Sequence, residues 1–335
     1  MDPQALNRSR DLLLGSTHPL LVTHVAPDGD ALGSLLGLGW MLRSLGREPM
    51  LACSDALPRQ LDFLPGFDEV TVQPTGCFDL LVSLDCSDPQ RMGAAGNLPE
   101  VEGLPLLNID HHVTNLRFGT VNVVDAAAVS TTQILYRLRP LLGVELDERI
   151  ATCLLTGLVT DTRGFRTSNV TPEVLRTAAG LMEAGASLAR ISRSGLDRRP
   201  LGAARMWGAA LSRMEVADGL AWTTLPFAEQ RVLGYDPQGD TGLPNMMVNI
   251  EAVQMAAVFT EQQDGRVEVG LRAAPGFDVA GVALSLGGGG HKQAAGCLLP
   301  GPLGQAQQRV LEMLRAELAR QRAAAGNDGW HPQPG

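Results

Sequence analysis

The sequence predicts an α/β fold: an N-terminal domain built on a parallel sheet, followed by a smaller C-terminal α/β domain. Three observations lead there. Short, almost wholly apolar runs alternate with helical segments through the first half, as in strands buried on both faces. Several of these runs end in a carboxylate or an imidazole, and in a parallel sheet the carboxyl ends of the strands are where ligands bind. A run rich in serine, arginine, glycine and proline, residues 187–205, then divides the chain and reads as a linker.

Residues 3–14 space their apolar side chains at helical intervals and predict a lead-in helix. Leu20 to Thr23 reads as the first buried strand, and it runs directly into His24-Val25-Ala26-Pro27-Asp28-Gly29-Asp30. An apolar helix, Leu35 to Leu45, follows, with Gly37 and Gly39 permitting close packing. The connecting loop offers one imidazole, His24, and two carboxylates, Asp28 and Asp30, and the turn formers Pro27 and Gly29 would point them the same way. Mixed oxygen and nitrogen donors of this kind suit divalent cations that act on phosphates. A purely structural reading of the same loop has Asp30 capping the helix. The glycines lie inside the helix rather than in the turn, so this is not a dinucleotide fingerprint.

Apolar segments around 49–52 and 69–72 come next. Phe78 to Leu84 is a strong buried strand ending in Asp85, placed to give one oxygen to each of two metals, whereas Asp88 reads as a solvated turn residue. Leu104 to Leu107 is a third strand, after which Asp110, His111 and His112 stand in a row. Ser130 to Leu142 predicts an amphipathic helix capped by Ser130 or Thr131, and Asp147 caps another that runs to Val159. Asp161 lies at the end of that helix, where the macrodipole disfavours an acid and a local cation would relieve it. Helical segments at 171–184 and 188–191 follow, and the first domain is expected to span residues 1–186.

Residues 206–322 predict the second domain, with strands at 212–216, 220–225, 254–260 and 267–271 and helices at 226–233, 278–286 and 302–322. Its notable stretch is Gly287-Gly288-Gly289-Gly290-His291, where a glycine run would let the backbone approach a phosphate and His291 would add a donor. The GxxxxGK[ST] pattern is missing, so this is not an ATPase P-loop. Residues 323–335, with His331, read as a disordered tail.

Composition narrows the function. A chain of 335 residues can hold two cores, and 44% hydrophobic with 19% charged residues is ordinary for a soluble globular protein. A formal charge of −9 argues against tracking long nucleic acid by phosphate neutralisation, and 4% aromatics argues against a broad stacking platform. Cations bound at the site would still attract a small polyanion. The cysteines, Cys53, Cys77, Cys86, Cys153 and Cys297, are odd in number and show no CxxC spacing, which argues against a disulfide framework or structural zinc site. No signal peptide and no apolar run near the ~20 residues of a membrane span is visible, so a cytoplasmic protein without membrane contact is expected.

Jointly, HxxPDxD from His24 to Asp30, the strand-ending Asp85, Asp110-His111-His112, Asp161 and the glycine run closing on His291 resemble the DHH/DHHA1 phosphoesterase family over roughly residues 18–298, and within it the stand-alone nanoRNase/pAp phosphatase branch. The resemblance implies a DHH domain joined to a DHHA1 domain across an active-site cleft. It implies that His24, Asp28 and Asp85 hold one Mn²⁺ and that Asp30, Asp85, His111 and Asp161 hold a second, with Mg²⁺ or another divalent ion as substitutes. Asp110 would orient a histidine and His112 would face the substrate phosphate, these two being the candidate catalytic groups. Arg272, Gly289, Gly290 and His291 would grip the far end of the substrate. The family often has serine after that arginine, whereas this chain has Ala273, so one substrate hydrogen bond is missing or supplied elsewhere. The implied reaction is metal-assisted hydrolysis of short single-stranded RNA or DNA and of pAp, without a side-chain nucleophile. Competing readings are an exonuclease on long single strands, a phosphodiesterase for cyclic or linear dinucleotides, and a non-catalytic nucleotide sensor. Pyrophosphatases share the first domain but not the glycine signature of the second. The sequence leaves homodimer formation open.

Overall fold

Helix α1 (Pro3–Gly15) leads into strand β1 (Pro19–Thr23), every residue of which is buried. The computed structural model describes residues 2–235 and 242–327, and the chain divides into two compact units, 1–198 and 199–335. In the first unit, helix α2 (Gly29–Ser44) is followed by strands β2 (Met50–Ala52), β3 (Leu80–Leu84), β4 (Leu106–Asp110) and β5 (Val121–Val124). All pair in parallel, in the order β2-β1-β3-β4-β5. The chain steps from β1 outward to β2 and then returns to β3 on the other side. Such a reversal opens a crevice at the carboxyl ends of β1 and β3.

Both faces of the sheet are covered, which is why its strands read as unbroken apolar runs. Leu21, Val82, Leu84, Leu107 and Ile109 point into the main core with α2, α3 (Thr131–Leu142), α4 (Glu148–Asp161) and α5 (Pro172–Glu183). Leu20, Val22 and Leu81 meet Met92, Ala95 and Val101 on the other face. Each such side chain contributes about 1.5–3 kcal/mol by leaving water.

The crossing of α2 and α4 positions the site. A Cβ on Gly33 would stand 2.5 Å from the Cys153 carbonyl oxygen, and one on Gly157 would stand 2.3 Å from Asp30 Oδ1. At Gly33 backbone therefore lies against backbone, and at Gly157 the missing side chain leaves room for the Asp30 carboxylate from the first turn of α2. Gly37 adds to this contact as expected, against Leu154.

Some expectations shift. Helix α2 begins at Gly29 rather than Leu35, and its cap is Asp28, whose Oδ1 accepts from the backbone N–H groups of Asp30 and Ala31 at 3.0 Å each. Asp30 is thus not the cap; it sits inside the first turn, fully buried. Strand β4 extends through Asp110. Residues 69–72 supply a single bridge, Thr71 to Ala52. Strand β5 was not anticipated, because its alternating burial and Asn122 break the apolar run that marks the inner strands. Of the two cap candidates for α3 the structure selects Ser130, Asp147 caps α4 as expected, and Thr171 caps α5.

The stretch 187–205 is largely helical: α6 (Leu188–Ser192), a π-turn at Arg193–Asp197, and the start of α7 (Leu201–Ser212). Ala203, Met206 and Ala210 give α7 a buried stripe that its glycines and arginines mask in the sequence. The second unit continues with β6 (Glu215–Ala217), β7 (Leu220–Leu225), α8 (Phe227–Leu233), α9 (Gly242–Val248), β8 (Met255–Glu261), β9 (Val267–Ala273), α10 (Ala280–Ser285), β10 (Gly289–His291), β11 (Ala294–Leu299) and α11 (Leu303–Asn327). Its sheet runs β10-β11-β9-β8-β7-β6, with β7 and β8 parallel and the other pairs antiparallel. Helices α10 and α11 cover one face, α7 and α9 the other. Helix α11 runs to Asn327, past the point where a tail was expected to begin, and residues 328–335, including His331, lie outside those described. Among the described residues no helix is long and apolar enough to cross a membrane.

Candidate active site

The carboxyl ends of β1, β3 and β4 bring His24, Asp85 and the Asp110–His112 segment together, and α2 and α4 add Asp28, Asp30 and Asp161. Asp85 is the centre. It follows β3 directly and adopts a left-handed backbone, φ +61°, which costs a non-glycine residue about 1 kcal/mol or more. Its N–H donates to the Ile109 carbonyl at 3.0 Å and holds the turn. The turn presents both carboxylate oxygens. Oδ2 lies 3.5 Å from His24 Nε2; Oδ1 lies 3.6 Å from His111 Nε2 and accepts from Thr131 Oγ1 at 2.9 Å.

On the first side, His24 Nε2 is 4.0 Å from Asp28 Oδ1. The Nδ1 of His24 lies 2.8 Å from the Val25 carbonyl, so a proton on Nδ1 donates there and leaves the Nε2 lone pair toward Asp28 and Asp85. Arg91 Nη2 also lies 3.1 Å from that Nδ1. On the second side, His111 Nε2 is 3.2 Å from Asp161 Oδ2 and 3.9 Å from Asp30 Oδ2. Asp30 accepts from the N–H groups of Thr131 at 2.6 Å and Thr132 at 3.0 Å, so the start of α3 fixes its carboxylate. The trios His24–Asp28–Asp85, Asp30–His111–Asp161 and Asp85–His111–His112 each bring their ligand atoms within 4.8 Å of one another.

Asp110 belongs to none of these trios but holds two of their members, His111 and His112. Fully buried, its Oδ1 accepts from the His111 N–H at 2.8 Å and His112 Nδ1 at 2.7 Å, and its Oδ2 accepts from Asn115 Nδ2 at 2.6 Å. With the His112 proton on Nδ1, Nε2 is the basic nitrogen.

So many carboxylates in one small volume set the electrostatics. Burial, then the charges of Asp85 and Asp161, hold the Asp30 carboxyl well above the usual carboxylate range. Burial, with Asp28 and Asp85, raises Asp161 as well. Asp85 goes the other way: burial opposes its charge, but the hydrogen bond with His24 and the imidazoles of His111 and His112 pull it down. Burial would lower His24, His111 and His112, yet hydrogen bonds to Asp85, Asp161 and Asp110 respectively raise each of them. The cluster thus draws protons to neutralise itself, and divalent cations are the other means of doing so. Hard carboxylate oxygens and imidazole nitrogens, arranged around one shared carboxylate, fit a pair of such cations.

In the second unit, Arg272 lies on β9, where its Nε donates to Asn245 Oδ1 at 2.6 Å and its Nη1 to the Leu271 carbonyl at 2.8 Å. Arg272 pairs with Ala294, which pairs with His291, so the two expected substrate residues lie in line across three strands, about 10 Å apart by strand spacing. The end of the glycine run, Gly289–His291, forms an edge strand. A Cβ on Gly288 or Gly290 would clash with the Gly296 or Ala294 carbonyl, so the hairpin itself demands those two glycines. Gly289, Gly290 and His291 are exposed, and a Cβ on Gly289 would meet open space. A groove of about 990 Å³ on the Arg272 face of the sheet is lined by Pro244, Val258, Gly270, Gly296 and Leu298 among others.

Comparison with known proteins decides the family. Residues 19–158 match the DHH family, N-terminal domain, and residues 226–320 match the DHHA1 domain. Over 305 residues, 90% of each chain, the sequence is 41% identical to the bifunctional oligoribonuclease and PAP phosphatase NrnA of Thermus thermophilus. The chain belongs to the DHH/DHHA1 phosphoesterase family. It is a hydrolytic enzyme of the NrnA branch. NrnA of Bacillus subtilis is 27% identical over 282 residues, 83% of this chain and 88% of that one. An exopolyphosphatase-related protein from Bacteroides fragilis shares the fold, with a TM-score of 0.88, 23% identity, and 96% and 98% of the two chains covered. RecJ of Thermus thermophilus in complex with Mn²⁺ shares it more distantly, at a TM-score of 0.54 and 16% identity over 100% of this chain and 56% of that one.

Several residues that build the DHH-family site were not found from sequence. Thr131 and Thr132 were visible as a helix start, but their hold on Asp30, a hundred residues earlier, leaves no local signal. Arg91 sat in an unremarked turn. Asn115 stood in plain view after the histidines, without an assigned partner.

Proposed function

We propose that this DHH phosphoesterase hydrolyses short single-stranded oligonucleotides, RNA foremost, to mononucleotides and removes a phosphate from pAp, in the cytoplasm, with two divalent cations, Mn²⁺ first among them. The observation that carries the reading is Asp85, whose two oxygens face His24 and His111 separately. His24, Asp28 and Asp85 would hold one cation, and Asp30, Asp85, His111 and Asp161 the other. When bound, such ions supply positive charge to the phosphoryl oxygens and acidify an attacking water. The chain's own residues do the rest. Asp110 fixes the ring of His112 so that Nε2 addresses the phosphate and can exchange a proton there. Arg272, with its guanidinium braced by Asn245, takes the distal end of the substrate together with Gly289, Gly290 and His291. The similarity to NrnA proteins along most of the chain supports the choice of short oligonucleotides and pAp.

The test is turnover with Mn²⁺ on a matched panel of an RNA dimer, a 5-mer, a 24-mer, pAp and a cyclic dinucleotide. Preference for the dimer, the 5-mer and pAp is expected. Preference for the 24-mer would place the enzyme with processive exonucleases, and turnover of the cyclic dinucleotide alone would make it a second-messenger phosphodiesterase.

A further inference from the structure

We propose that Asn115 is a positioning residue for the reaction: its amide fixes the Asp110 carboxylate, and Asp110 in turn fixes the catalytic ring of His112. This rests on the phosphoesterase reading above. The chain of contacts is continuous. Asn115 Nδ2 donates to Asp110 Oδ2 at 2.6 Å, and the opposite oxygen of that carboxylate accepts from His112 Nδ1 at 2.7 Å. Asp110 is fully buried, so rotation of its carboxylate must be met by protein donors rather than by water.

Asn115 is itself held from several directions. Its Nδ2 also faces Asn108 Oδ1 at 2.8 Å and the Cys86 carbonyl at 3.0 Å, and its Oδ1 accepts from the Arg117 N–H at 2.6 Å. Asn108 is buried on β4 and reaches the same Cys86 carbonyl at 3.1 Å. An amide nitrogen has only two protons for these three acceptors, so it is pinned between the end of β3, the body of β4 and Asp110. None of these partners belongs to the candidate metal ligands. Asn115 therefore reaches the chemistry through Asp110 and His112. Without its donor, the Asp110 carboxylate turns toward other N–H groups, Nδ1 of His112 loses its fixed acceptor, and the ring tautomer and tilt are no longer set.

A double-mutant cycle on Asn115→Ala and His112→Ala, with Mn²⁺ and pAp or an RNA dimer, separates this from simple loop anchoring. Asn115→Ala is expected to lower kcat about 10- to 100-fold with KM and calorimetric Mn²⁺ affinity nearly unchanged. In the His112→Ala background the same change should cost under about 2-fold, because the residue it acts through is gone. Equal losses in both backgrounds, or loss of Mn²⁺ binding, would overturn the proposal. Should Asn115→Ala not fold, Asn115→Ser takes its place, with the same non-additivity expected. A second readout needs no turnover: long-range ¹⁵N–¹H NMR of the His112 ring should find the proton on Nδ1 in the wild type and a tautomer mixture in the variant. An unchanged tautomer overturns the positioning role. A wild-type protein that turns over none of the substrates overturns the phosphoesterase reading instead, and the NMR comparison still decides the role of Asn115.

Discussion

The Asp85 carboxylate is drawn from two sides by His24 and His111, and its neighbours pay for that concentration of charge in protons. Asp30, Asp161, His24 and His111 all sit above their ordinary values, so in the metal-free protein protons occupy sites that cations need. A raised pKa means a proton still bound as the pH climbs through the ordinary range, and that proton must leave when a cation arrives. Mn²⁺ binding at pH 7 should therefore release protons, and affinity should fall as the pH is lowered from about 8 to 6. Calorimetry in two buffers of different ionisation heat measures this; zero release at pH 7 would contradict it. At this scale the sequence was informative wherever a residue's chemistry is itself the signal. His24, Asp28, Asp30, Asp85, His111 and Asp161 stood out by type and position, and the fold brings them into neighbouring trios. Their supporting partners did not stand out, because threonine and asparagine announce nothing until tertiary contacts choose one.

Helices α2 and α4 set the geometry of the second side of the site, where Asp30 and Asp161 meet His111. Gly33 lets α2 meet the backbone of α4, and Gly157 leaves room for the Asp30 carboxylate and Thr132, so Asp30 and Asp161 come to lie beside His111. Gly157→Ala would put a methyl group 2.3 Å from Asp30 Oδ1 and force the helices apart. A loss of about 1–3 kcal/mol in stability is expected, with weaker Mn²⁺ binding. Gly15→Ala, whose Cβ meets nothing within 4 Å, is the control and should leave both nearly unchanged. Thermal melts and calorimetry read the pair, and equal behaviour of the two variants would sink the close-packing account. The same scale shows where sequence reading stops. Apolar runs identified β1, β3 and β4, while β5, half covered, lacked such a run. A structural reading of the Asp28–Asp30 pair made Asp30 the cap; the backbone N–H groups of α2 choose Asp28 instead and free Asp30 to face the site. Glycine is ambiguous by nature, so the run ending at His291 gave no sign of the edge strand that Gly289–His291 form.

At the scale of the whole molecule, an acidic chain of net charge −9 that acts on polyanions must concentrate its attraction at a few places. The second unit offers Arg272, braced by Asn245 and aligned with His291 through Ala294. Under the proposed function, Arg272→Ala should raise KM for an RNA dimer about 10-fold or more while changing hydrolysis of a small non-nucleotide phosphodiester little. Equal losses on both substrates would mean that Arg272 acts through the fold and not on the distal end of the substrate.

The most direct measurement is a crystal of the wild-type protein soaked in Mn²⁺, with data collected at the manganese edge, beside the same experiment on Asp85→Asn. Two anomalous peaks are expected in the wild type, one near His24 and Asp28 and one near His111 and Asp161, with the Asp85 carboxylate between them. In Asp85→Asn at least one peak should vanish and turnover should fall by about 10³-fold or more. A single wild-type peak, or two peaks and near-normal turnover in the variant, would contradict a centre bridged by Asp85.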